Sequence, residues 1–230
     1  MEIISLSVVT FVAVFSALFP IINPIGDAPI FLNMVQGCSL EVRNKLARSV
    51  SINSFFMLLA SMLIGPQLLM FFGITLPALK LAGGLVVISV GWSLLNQKTS
   101  TDKNAGDTSA ITDASASGST FFPLTMPLTV GPGSIATAIA LAAGSKHTQG
   151  FDLAKEIPTI LGGFFGLLAL SLTIYIAYRE ASGLQRILGV NGTNVLMRLF
   201  AFILLAIGVQ IFLGGVEGFA LQMHKELPAS

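Results

Sequence analysis

Long apolar runs alternate with short polar gaps along this chain, at the spacing of helices that span a bilayer. Ser49 to Leu79, Leu81 to Gln97, Ala114 to Ser145, Ile157 to Tyr178 and Leu199 to Val216 carry no charge, and between Glu2 and Glu41 only Asp27 does. A bilayer core needs about 20 apolar residues in a helix. Six spans are expected, at 5–34, 49–72, 79–97, 119–144, 157–178 and 199–221. The first is long for one crossing, because about thirty residues at 1.5 Å each exceed the hydrocarbon thickness. Its end beyond Pro24 is expected to be broken or re-entrant. No basic region precedes the first apolar run, so that run reads as a retained span and not a cleaved signal peptide.

The gap from Asn96 to Thr120 is rich in Ser, Thr, Asp, Ala and Gly, the composition of a mobile linker. It divides one membrane domain into two halves of three spans, 1–97 and 119–230, joined by a flexible polar linker at 98–118. The halves resemble each other. Sliding the chain by 107 residues lays "PIINPIGDA" on "PLTVGPGSI", so that Pro20 meets Pro127, Gly26 meets Gly133 and Asp27 meets Ser134. Further on, Leu79 to Gly91 resembles Leu196 to Gly208. Three spans per half is an odd number, so the two copies cross the membrane in opposite senses. The fold class expected is an all-α membrane protein of six transmembrane helices, two inverted three-helix repeats with a broken first helix in each.

Composition sharpens this. With 53% hydrophobic and 10% charged residues and a mean hydropathy of +0.84, the chain is not a water-soluble domain. Its environment is the lipid bilayer. A net charge of +1 without any basic stripe speaks against nucleic acid. Cys38 is the single cysteine and His147 and His224 are far apart, so neither a disulfide nor a metal or other cofactor is expected. The spans hold no Ser-His-Asp set and no paired acids, which argues against an enzyme. Arg43, Lys45, Arg48, Lys98, Lys103, Arg179, Arg186 and Arg198 fall on one side of the expected spans; Lys80, Lys146, Lys155 and Lys225 fall on the other. The richer side is expected to be cytoplasmic, which puts both termini outside.

The chemistry is expected at the two breaks. Proline lacks an amide hydrogen and glycine tolerates unwound backbone, so "INPIGDAP" and "LTVGPGSI" should each interrupt a helix. Polar groups freed in lipid cost several kcal/mol apiece unless satisfied. A pair of sealed proline kinks is one reading. Matching breaks in inverted halves favour another, a midplane binding site built from discontinuous helices. The candidate substrate- and ion-binding residues are Asn23, Pro24, Gly26 and Asp27 in the first half, with Thr125, Thr129, Gly131, Gly133 and Ser134 in the second. Asp27 stands before "APIFLNM" and Ser134 before "IATAIAL", where N-caps would stand. A carboxylate in a span must also face water or a partner, so capping and coupling are both open to Asp27. Asn23, Thr125 and Thr129 have the same choice between loosened backbone and substrate. Asn53, Gln67, Ser89 and Gln210 read as interhelical bonds, Gly83-Gly84 and Gly162-Gly163 as close-packing sites, and Lys80 and Arg198 as snorkelling span ends.

"NPIGDAPIFLNM", "FGITLPALKLAGG" and "PLTVGPGSIA" together resemble the MarC family of bacterial and archaeal integral membrane proteins, SnatA-like neutral amino acid transporters among them. The likeness runs over nearly the whole chain. It implies six spans, a cytoplasmic (inner) membrane location and ion-gradient-driven uptake of glycine, alanine and other small neutral amino acids. The breaks accord with that class: two half-helix N-termini suit a carboxylate, and glycine at each break lets backbone approach a small ligand. The function expected is secondary transport of small neutral amino acids coupled to a proton or sodium ion. A channel or exporter of another small solute is the alternative, and a homo-oligomer is compatible with either.

Overall fold

The structure, a computed structural model, describes residues 2–96, 111–144 and 153–226. Its regular elements are all helices: α1 (Glu2–Ile22), α2 (Pro24–Met34), α3 (Leu40–Phe71), α4 (Leu76–Asn96), the one-turn α5 (Ala116–Ser119), α6 (Pro132–Gly144), α7 (Leu153–Arg179) and α8 (Ala181–Glu226). An irregular segment, Thr120–Thr129, joins α5 to α6. Among the described residues, five stretches are long and apolar enough to cross a membrane: Ile4–Ile22, Leu40–Phe71, Leu76–Asn96, Ile157–Arg179 and Asn191–His224. A sixth is reached if Ala116–Thr129 and Pro132–Gly144, which meet at 70°, make one span. Lys98, Lys103, Lys146 and His147, which entered the expected topology and metal reading, lie outside the described residues. So does the linker as far as residue 110.

The linker's last residues are packed rather than free. Ile111 is buried, its amide donates to the Met34 carbonyl at 2.9 Å, and its carbonyl accepts from Cys38 Sγ at 3.2 Å. Asp113 Oδ1 accepts from the Ser39 amide at 2.9 Å, while Ser39 Oγ caps α3 by accepting from the Val42 amide. Arg43 donates to the carbonyls of Cys38 and Gln36 at 2.9 and 2.8 Å. One apolar residue and one carboxylate suffice to pin the end of a polar run onto the turn between α2 and α3.

Lipid tails are as apolar as leucine, so close approach and interhelical hydrogen bonds must hold such helices together. The antiparallel pair α4 and α8 is built on glycine. A Cβ on Gly84 would come within 2.6 Å of the Phe212 amide, one on Gly91 within 2.8 Å of Leu205, one on Gly208 within 2.7 Å of Ile88, and one on Gly215 within 2.8 Å of Leu81. Gly162 of α7 likewise sits on the Ser7 carbonyl of α1. Between α3 and α7, Ser51 Oγ donates to the Ser171 carbonyl at 2.6 Å and Ser171 Oγ to the Ser51 carbonyl at 2.7 Å. The outer faces carry exposed Val9, Phe56, Met70, Trp92 and Phe202, the surface a membrane helix presents to lipid.

The two halves exchange partners. In the first, α2 packs on α7 and α8; in the second, α6 packs on α3 and α4. In the same way α1 packs on α7, and the irregular segment packs on α3. The two short helices therefore lie inside the bundle, each among the other half's longer ones. α8 is bent at Gly189, whose φ of 64° lies in the left-handed region that favours glycine.

Candidate functional site

Both expected breaks are present. In the first, Asn23 takes a left-handed conformation (φ 51°, ψ 52°) between α1 and α2, one of the few side-chain-bearing residue types that does so readily. Its Oδ1 accepts from the Gly26 amide at 3.2 Å, and Pro24 opens the helix with its fixed φ and missing donor. Asn23 is thus the cap of α2. Asp27 is the helix's fourth residue, so it does not stand in the N-cap position its sequence context suggests. Ser134 is the third residue of α6 and donates to the Gly131 carbonyl at 2.8 Å, so it too lies inside its helix. The reason is common to both: each proline starts its helix upstream of the glycine, a turn earlier than the apolar pattern implies.

The second break is wider. Phe122 and Met126 are extended within the irregular segment, and threonine hydroxyls tie off the carbonyls this frees. Thr125 Oγ1 donates to the Thr120 carbonyl and Thr129 Oγ1 to the Leu124 carbonyl, both at 2.8 Å. The Val130 amide reaches back to the Thr125 carbonyl at 2.8 Å. The chain then turns sharply into α6.

The two breaks meet at one cavity of about 410 Å³. Of the expected residues, Asn23, Asp27, Thr129, Gly131, Gly133 and Ser134 line it. Pro24, Gly26 and Thr125 do not; they are buried behind it, and Thr125 accepts a 3.4 Å contact from Asn53 Nδ2 of α3. The remaining wall is apolar, with Ile30 and Met34 of α2, Val86, Val87 and Val90 of α4, and Leu204 of α8.

The polar groups at this cavity are few and differently engaged. Asp27 is 8% exposed, and among the described residues its carboxylate has neither a hydrogen-bond nor an ion-pair partner. An unpaired carboxylate among apolar walls calls for a cation, a proton or water. The amides of Gly133 and Ser134, in the first turn of α6, donate to no carbonyl among the described residues. They carry the positive end of the α6 dipole to the cavity edge. A carboxylate from one broken helix and free amides from the other make a site with one acceptor pole and one donor pole.

Tyr178 is the residue sequence reasoning passed over. Buried near the end of α7, it bonds to Thr129 Oγ1 at 2.8 Å and stacks on Phe31 with ring centroids 4.4 Å apart. Phe31 lies one helical turn beyond Asp27. Tyr178 therefore fixes both breaks from behind, one through Thr129 and the other through Phe31. The signal for it was slight: it is one of only two tyrosines, placed at the end of a charge-free run.

Helices of this length and hydropathy define a multi-pass integral membrane protein. Residues 8–220 match the MarC family of integral membrane proteins, and the chain belongs to that family. It is 28% identical over 205 residues to the UPF0056 membrane protein YhcE of Escherichia coli (strain K12), covering 89% of this chain and 90% of that one. It is 30% identical over 207 residues to the UPF0056 membrane protein YvbG of Bacillus subtilis (strain 168), covering 90% and 94%. To the UPF0056 inner membrane protein MarC of Citrobacter koseri it is 30% identical over 202 residues, covering 86% and 90%. No solved structure matches it.

Proposed function

We propose that this protein is a secondary transporter of small neutral amino acids, coupled to a proton or sodium gradient, and not an enzyme. The observation that carries the reading is the convergence of two broken helices on one cavity, one bringing the unpaired Asp27 carboxylate and the other the free amides of Gly133 and Ser134. A zwitterion complements both poles, its ammonium group at Asp27 and its carboxylate at the α6 N-terminus. A coupling ion would also be held at Asp27.

The exchange of partners between the halves supports an inverted repeat, since α2 and α6 each pack against the last two helices of the other half. Reciprocal bonds between Ser51 and Ser171 are what equivalent residues facing across a two-fold axis would make. The glycine seam refines the register: Gly84 and Gly91 answer to Gly208 and Gly215, about two turns further along α8 than the pairing of Gly91 with Gly208. Inverted repeats of three spans fit rocking of one half against the other around a fixed site. The name of the Citrobacter koseri relative supports placement in the inner membrane, with both termini outside on the count of basic residues.

Uptake by purified protein in proteoliposomes, with imposed proton or sodium gradients and a panel of amino acids, tests the reading. Saturable, gradient-dependent accumulation is expected. Asp27→Asn should abolish accumulation against a gradient while exchange of internal for external substrate persists. Uptake by Asp27→Asn matching wild type in rate, accumulation and pH dependence would remove Asp27 from the mechanism. Flux that is linear in concentration and indifferent to gradients would mark a channel.

A further inference from the structure

A second recess, of about 270 Å³, lies one to two turns further along α6. Lys80 of α4, Thr137 of α6 and Gln210 of α8 face into it among apolar side chains. Lys80 is half-buried, and among the described residues neither its ammonium group nor the Gln210 amide has a hydrogen-bond or ion-pair partner. The Thr137 hydroxyl donates to the Gly133 carbonyl at 2.9 Å, so its oxygen is left as an acceptor. An ammonium group and a side-chain amide from separate helices thus line one recess, neither of them paired among the described residues. Polar side chains within membrane helices are costly unless they meet water, a partner or a ligand.

The recess and the first cavity are two levels of one path. Both are lined by α4, α6 and α8, the recess at Leu79, Lys80 and Ile211, the cavity at Val86, Val90 and Leu204. Lys80 and Val90 are about 15 Å apart along α4. Between the two levels α4 and α6 touch without room to spare. A Cβ on Gly83 would come within 2.7 Å of the Ala136 methyl, and one on Gly133 would overlap the Val87 side chain. This seam lies between the cavity and the recess, and the helix that forms one side of it, α6, carries the free amides in its first turn and Thr137 one turn further along the same face.

We propose that the recess is a second station for the substrate's carboxylate, held by Lys80 and Gln210, on the opposite side of a gate formed by Gly83, Val87, Gly133 and Ala136. The inference rests on the transport reading. A substrate leaving the α6 amides would exchange one set of donors for another as the seam parts, and the two stations would open to opposite faces of the membrane.

Single cysteines test it in a Cys38→Ser background, with Val90→Cys reporting on the cavity and Ile211→Cys on the recess. A charged, membrane-impermeant thiol reagent is applied to right-side-out and inside-out vesicles. Val90→Cys should react from one face and Ile211→Cys from the other, and L-alanine should slow both reactions. Adding Lys80→Gln should raise the alanine concentration that half-protects Ile211→Cys about tenfold, as loss of a charged hydrogen bond implies. Lys80→Arg should restore protection. Labelling of both cysteines from the same face, or protection of Val90→Cys alone, overturns the second station and leaves the transport reading standing. Failure of every amino acid in the panel to protect either cysteine overturns both.

Discussion

Gly133→Ala tests the seam with one methyl group. The added Cβ would sit 3.6 Å from Val87 Cβ and would overlap its Cγ2, and Val87 is itself buried against its neighbours. The obstacle is one branch of a stiff side chain, which cannot swing aside as a lysine could. Overpacking of this kind costs about 1–3 kcal/mol. Exchanging glycine for alanine in a helix returns at most about 1 kcal/mol, so the net loss centres on about 1–2 kcal/mol. Val87→Ala alone removes two buried methyls and leaves a small void, costing about 1–3 kcal/mol. Together the two should cost less than their sum, because the new methyl enters the space the valine vacated, and the coupling should be about 1–2 kcal/mol. Melting of the purified protein in detergent measures this, about 2–4 °C per kcal/mol for a chain of this size. Gly133→Ala should melt about 2–8 °C lower, and the double variant should melt about 2–8 °C above the sum of the two single losses. Strict additivity, or a Gly133→Ala variant that melts with wild type, would refute close contact between α4 and α6 and with it the gate.

Two more predictions follow from the polar contacts. The Thr129 hydroxyl has one proton, which goes to Leu124, so Tyr178 donates to Thr129; Tyr178→Phe should cost about 0.5–1.5 kcal/mol, whereas Thr129→Val, which orphans both partners, should cost about 1–3 kcal/mol. Melting temperatures in the reverse order would contradict that direction of donation. Cys38 is 5% exposed, and burial first, then the Asp113 carboxylate, push its thiol pKa up, with Arg43 opposing. A raised pKa means less thiolate at a given pH, so iodoacetamide should modify Cys38 more slowly than a free cysteine at pH 8, and Asp113→Asn should speed the reaction. Equal rates for the variant and wild type would show that residues 111–115 do not stand against this turn.

The apolar pattern alone identified the membrane protein, because spanning helices must be long, charge-free and internally hydrogen-bonded whatever they pack against. It also located both breaks, since proline and glycine act on their own backbone. The family was legible for a related reason, as the motifs at those breaks are local strings. Neighbouring residues decided where each helix starts. Asn23 with Pro24 carries an N-cap signal in the sequence, yet the apolar run beyond Asp27 points to a later start, and only the observed hydrogen bond from the Gly26 amide selects between them.

What the tertiary structure decided was which distant residues meet. Tyr178 reaches Thr129 across 49 positions of chain, and Lys80 shares a recess with Gln210 although each read alone as a span end or a helix-helix bond. Ile111 and Asp113 turn the end of an apparent linker into a docked segment through contacts 73 and 74 residues away in sequence. Hydropathy cannot carry such information. In lipid every side of an apolar helix is equally soluble, so which face meets which neighbour is set by glycine gaps, hydroxyl pairs and shape, and those have meaning only once the partner helix is in place.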